Sequence, residues 1–134
     1  MKQLLYVFSI ALCLNSTAQA VELLVCEGKL QDQDITLIDD GFKVGLHKGA
    51  IDIDAGPRGN NAPSAIFSNE DLDYDQGDEA CTLTAQKEGI GSLKLEAPCD
   101  GNGSAKLKEV NIPSLELEIP ELAVNCRLVN YRRQ

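Results

Sequence analysis

At 134 residues the chain has room for one well-buried domain and not for two. Its 21 Asp and Glu outnumber 12 Lys and Arg, and the formal net charge of −9 repels nucleic acid and anionic lipid, which both need neutralising cations. The same balance suits a bound cation or a basic protein.

Lys2, the apolar run Leu4–Leu14 and a polar stretch ending in Ala18-Gln19-Ala20 have the form of a cleavable secretory signal, with small side chains at the cut. The run is shorter than the roughly 20 apolar residues that cross a bilayer. Residues 1–20 are therefore expected to leave, and the mature domain to span 21–134. The protein is expected to be exported, periplasmic or secreted, without a membrane anchor. Cys13 goes with the leader, and Leu12 before it is bulky where a lipid-attachment signal carries Gly or Ala. No apolar C-terminal tail of the GPI type is present. Cys26, Cys81, Cys99 and Cys126 remain. An even count, widely spaced, in an exported chain reads as two disulfides and not as a metal site, which needs closer spacing and more than the single His47.

Beyond residue 20 the apolar residues recur at every second position between clusters of Gly, Pro, Asn and Asp, which is the pattern of strands and turns. Leu24, Cys26 and Leu30 share a parity. Phe42, Val44 and Leu46 lead to His47-Lys48-Gly49, and Ile51 and Ile53 follow, so a hairpin with His47 in water near its tip is expected. The stretch after Asp54 is a loop by composition, and Ser64–Phe67 a short apolar patch with no assigned state. Asn69–Glu79 reads as an acidic loop or edge, with Leu72 and Tyr74 facing inward.

Cys81, Leu83 and Ala85 alternate, as do Leu93, Leu95 and Ala97, around a turn at Glu88–Ser92. Folding them so that Cys81 faces Cys99, Leu83 faces Ala97 and Ala85 faces Leu95 puts every apolar side chain on one face. Cys81–Cys99 is thus the preferred bridge among three connectivities, leaving Cys26 to Cys126. A turn at Asp100–Gly103 follows, then Leu107 and Val110, with a short helix over Ser104–Glu109 as an option. Leu115, Leu117 and Ile119 alternate with Glu116 and Glu118 between Pro113 and Pro120, which suits an edge strand or strand ends. Leu122, Val124, Cys126 and Leu128 close the chain. The expected fold is all-β, a small antiparallel sandwich or barrel of about eight to ten short strands.

No sequence constellation of a known catalytic centre stands out. Asp71, Asp73 and Asp75 match the first ligand positions of a calcium loop, and Glu79 adds a fourth oxygen donor. The match then lapses, because Gly77 comes one place late and Thr82 stands where a bidentate Glu belongs. Asp52 and Asp54 could flank a glycosidic bond, but with no Trp and few aromatics the platforms for a sugar are scarce. Arg127, Arg132 and Arg133 are the one basic concentration, and Asn102-Gly103-Ser104 matches a glycosylation acceptor. The leading expectation is an exported, non-catalytic binding protein that recognises or inhibits a basic secreted protein. A calcium-stabilised structural or adhesive domain and a small carboxylate hydrolase are the alternatives.

Overall fold

The computed structural model describes residues 20–49, 51 and 62–132. Among the described residues nine strands follow in chain order: β1 (Ala20–Leu30), β2 (Gln33–Asp39), β3 (Lys43–Lys48), β4 (Ser64–Ser68), β5 (Leu72–Gln76), β6 (Cys81–Lys87), β7 (Gly91–Ala97), β8 (Gly103–Ile112) and β9 (Leu117–Arg132). There is no α-helix among the described residues, only 3-10 turns at Asn69–Asp71 and Pro113–Leu115. Consequently no helix there is long and apolar enough to cross a membrane.

All nine strands form one antiparallel sheet in the order β4-β3-β2-β1-β9-β8-β7-β6-β5. Each strand pairs with its chain neighbours, and β1 pairs with β9, so ring order equals chain order with a single gap between β4 and β5. The sandwich-or-barrel expectation resolves to a nearly closed barrel. Curling one sheet on itself lets every strand turn one face inward and leaves only two edges.

The interior follows from the two-residue period. Ile35, Leu37, Val44, Leu46, Phe67, Leu83, Leu93, Leu95, Leu107, Val110, Ile112, Leu117 and Ile119 form one buried core. At the end where β3 finishes, the Pro113–Leu115 turn closes the barrel. Leu115 is buried there, and its carbonyl accepts a hydrogen bond from Lys48 Nζ at 2.7 Å. The first and last strands are joined by Cys26–Cys126, directly opposed in the β1–β9 ladder; Cys81–Cys99 ties the start of β6 to the chain just past β7.

Several local expectations change. On its side away from β2, β3 pairs with β4, with Val44 opposite Phe67 and His47 opposite Ser64, so the unassigned patch is a strand and His47 lies within β3 instead of at a hairpin tip. Ile53, Asp52 and Asp54 lie outside the described residues. Phe42 is 70% exposed in the β2–β3 turn, because Asp40 Oδ1 accepts the Phe42 and Lys43 amides and folds the chain back there. The β6–β7 register places Cys81 opposite Ala97, Leu83 opposite Leu95 and Ala85 opposite Leu93, two residues from the expected pairing. A slip of two keeps every side chain on its face. Cys99 therefore reaches Cys81 from beyond the strand end.

Ser104–Glu109 is strand and not helix. The spacing of three between Leu107 and Val110 comes from a bulge, where Glu109 takes φ 51 and the β7–β8 register shifts between Ser92 and Lys94. Leu115 belongs to the 3-10 turn, and Leu117 to Leu128 is one continuous, central strand. Its Pro120 sits opposite Glu109 at that bend, before the β1 ladder begins at Asn125, so no sheet hydrogen bond to β1 is lost there.

Candidate binding site

The gap between β4 and β5 concentrates the unusual features of the molecule. Both edge strands are short, and the 3-10 turn between them carries Asp71. Its Oδ2 accepts the Ser68 amide at 2.9 Å and lies 3.7 Å from Lys87 Nζ. Along β5 the alternation is Leu72 and Tyr74 half-buried, Asp73 and Asp75 exposed. In the β6 ladder these acids stand opposite Thr84 and Thr82, which are neutral. Asp78 and Glu79 follow in a turn held by Gly77 N–H donating to the Ala80 carbonyl at 2.9 Å.

The four calcium-candidate residues are thus placed in three settings: Asp71 in the 3-10 turn beside Lys87, Asp73 and Asp75 on the outer side of β5, and Glu79 in the following turn. Among the described residues no group of three or more His, Cys, Asp or Glu side chains is arranged to hold a metal ion.

The β7–β9 part of the barrel treats charge differently. On β7, β8 and β9, Lys94 pairs with Glu109, Lys106 with Glu121 and Lys108 with Glu96, the last at 3.0 Å. The hydrogen bond from Lys108 lowers the Glu96 pKa and raises that of Lys108. Arg127 pairs with Glu27 across β9 and β1. Among the described residues, Glu70, Asp73, Asp75, Asp78 and Glu79 make no ion pair.

At the end of the barrel where β2 finishes, a buried acid adjoins this edge. Asp39 is only 6% exposed, and it shares its parity with Ile35 and Leu37, which face the core. Its Oδ1 accepts the Gly41 amide at 2.9 Å, and its Oδ2 accepts the Tyr74 hydroxyl at 3.0 Å, a bond that links β2 to β5. Burial raises the Asp39 pKa, the two hydrogen bonds oppose that rise, and nearby Asp40 adds to it. Tyr74 is likewise pushed up, by burial first and then by the Asp39 charge. A cavity of about 90 Å³ opens beside the pair, walled by Leu24, Leu83, Leu95, Ala97, Pro98 and the Cys81–Cys99 bridge.

Sequence reading placed Tyr74 inward but passed over Asp39. The available signal was an acid continuing the parity of Ile35 and Leu37. His47, expected in water, is half-buried. Burial lowers its pKa, and its Nδ1 has no hydrogen-bond partner among the described residues.

No family model matches the chain, and no curated protein and no solved structure matches it either. The class it defines is therefore structural: a disulfide-sealed antiparallel barrel with one open, acidic edge.

Proposed function

We propose that the protein is an exported, non-catalytic binding protein that engages a basic protein partner through the open edge formed by β5 and its flanking turns. The observation that carries this reading is the uneven pairing of charge. Cations of the β7–β9 wall are taken up by neighbouring carboxylates, while around β5 Asp71 alone is paired, with Lys87, and Glu70, Asp73, Asp75, Asp78 and Glu79 make no ion pair among the described residues. An uncompensated acidic edge attracts cations over about 10 Å at ordinary salt and discourages like copies from stacking on it.

Export is supported by the form of residues 1–20 and by two disulfides, which form and persist in oxidising compartments. Cutting after Ala20 leaves the β1–β9 ladder whole from Val21↔Tyr131 onward. A periplasmic or secreted location follows from the same argument.

The test is capture of proteins from the matching extracellular or periplasmic extract on immobilised wild type and on a variant carrying Asp73→Asn, Asp78→Asn and Glu79→Gln. The expected result is retention of basic proteins that elute as salt rises toward about 1 M, where the screening length falls to about 3 Å, with weaker retention on the variant. Retention that ignores both salt and the three substitutions overturns the reading.

A further inference from the structure

We infer that the cavity beside Asp39 receives an alkyl-ammonium head, specifically a lysine side chain presented by the basic partner. The inference rests on the proposed function and names the group that the edge guides in.

Its geometry has three parts. The cavity wall is apolar, built from Leu24, Leu83, Leu95, Ala97 and Pro98, which suits a methylene chain. At its polar side stands a carboxylate that is almost fully buried, with no basic side chain within ion-pair distance among the described residues. Asp39 accepts one hydrogen bond on each oxygen. An ionised carboxylate offers about four acceptor sites, so about two stay available for an incoming N–H. A buried carboxylate without a cation is costly, and an ammonium group placed against it relieves that cost while its own chain leaves water.

The space is small, about 90 Å³, which suits a single side-chain end. The acids around it, Asp40 in the β2–β3 turn and Asp75, which is exposed on β5 and borders the cavity, carry the same sign as Asp39 and favour a cation over an anion at the entrance. Tyr74 fixes the carboxylate through its hydroxyl and seals one side.

The experiment titrates n-butylammonium, a blocked lysine peptide and neutral n-pentanol into the mature wild-type protein, followed by amide chemical shifts of residues 39–41, 74–76 and 81–83. The expected result is saturable shifts with both amines and none with the alcohol. Asp39→Asn, checked for folding by its amide spectrum, should weaken amine binding at least tenfold.

Equal response to the amine and the alcohol in the wild type overturns the proposal without recourse to any variant. So does unchanged binding in Asp39→Asn. Binding of butylammonium but not of the lysine peptide overturns the assignment to a partner side chain. Amine titration reads the cavity without the partner, and the substitutions at Asp73, Asp78 and Glu79 change the edge without touching the cavity lining, so failure of one is distinguishable from failure of the other.

Discussion

The barrel has two junctions that differ from its ordinary hairpins. One joins β1 to β9, whose Cys26 and Cys126 lie 100 residues apart; there the ladder runs from Ala20↔Arg132 to Glu27↔Asn125 around a buried disulfide. The other joins β4 to β5, which are separated in sequence only by a three-residue turn yet share no ladder. The most distant segments are sealed most firmly, and adjacent ones stay apart. Loop-closure entropy bears on the first half of this contrast, because a cross-link between ends far apart in sequence removes the most freedom from the unfolded chain. At the other junction chain continuity already holds the strands near each other, so their edges can be left to contact a partner.

Breaking the sealed junction has the largest effect. Replacing Cys26 and Cys126 by Ser should cost about 4–5 kcal/mol in the chain-entropy account, against about 3 kcal/mol for the same change at Cys81 and Cys99, whose separation is 18. Urea unfolding of the two double variants measures both. A larger loss from the Cys81–Cys99 pair would mean that the β6–β7 end, and not the chain-end junction, holds the ring.

The closed part of the ring between the junctions should tolerate an added atom less well than a free turn does. Gly91 begins β7 at φ 135, and a Cβ built there lies 2.1 Å from the Asn111 carbonyl oxygen of β8. Gly91→Ala must therefore push the two strands apart, at about 3 kcal/mol from overpacking and backbone strain together. Gly89, in the adjoining turn at φ 88, has nothing within 4 Å of a built Cβ. Gly89→Ala carries only the conformational term of about 1 kcal/mol. Similar losses for the two would show that β7 and β8 lie farther apart.

The bond from Tyr74 to Asp39 spans the open side, and its pH response sharpens the contrast further. Burial raises the folded-state pKa of Asp39 above its unfolded value. The native state then holds its proton more firmly, so the contribution to stability is fully present below the ordinary carboxylate pKa and is lost as pH rises through the raised one. In melting curves taken from acid to neutral pH, wild type should lose stability relative to Asp39→Asn across that window. Parallel curves would indicate that Asp39 is solvated. Tyr74→Phe should cost about 1 kcal/mol, the usual net value of one hydrogen bond.

How much of this was legible in the sequence varies by region, for physical reasons. The strand pattern and both disulfides were readable because core-facing residues and cysteines follow a two-residue parity that survives errors of register; the β6–β7 slip of two residues changed no side chain's face. Bends were not readable. The Glu109 bulge shifts parity within β8, so Leu107 and Val110 mimic a helical spacing. The partner of β3 was hidden behind a long intervening segment, since pairing across a loop is decided by tertiary contacts that composition does not encode. Of the site, the acidic edge was visible as composition, and Tyr74 as an inward residue. Asp39 was not, because an acid at a core position reads as part of the Asp39-Asp40-Gly41 turn until the strand before it is known.

The smallest expected change is at the open edge itself. Asp73 is exposed on β5, stands opposite neutral Thr84 and makes no ion pair among the described residues. Asp73→Asn removes like-charge repulsion with Asp75 and breaks no contact, so stability should move by less than about 0.5 kcal/mol, in the favourable direction. The same substitution at a partner-binding edge should still slow association at low salt, because a lost charge weakens steering even where it contributes nothing to folding. Measuring both on one variant separates the two uses of an acidic strand. A clear loss of stability would mean that Asp73 holds the edge together, and the open junction would then be a structural closure in its own right instead of a surface kept free for a partner.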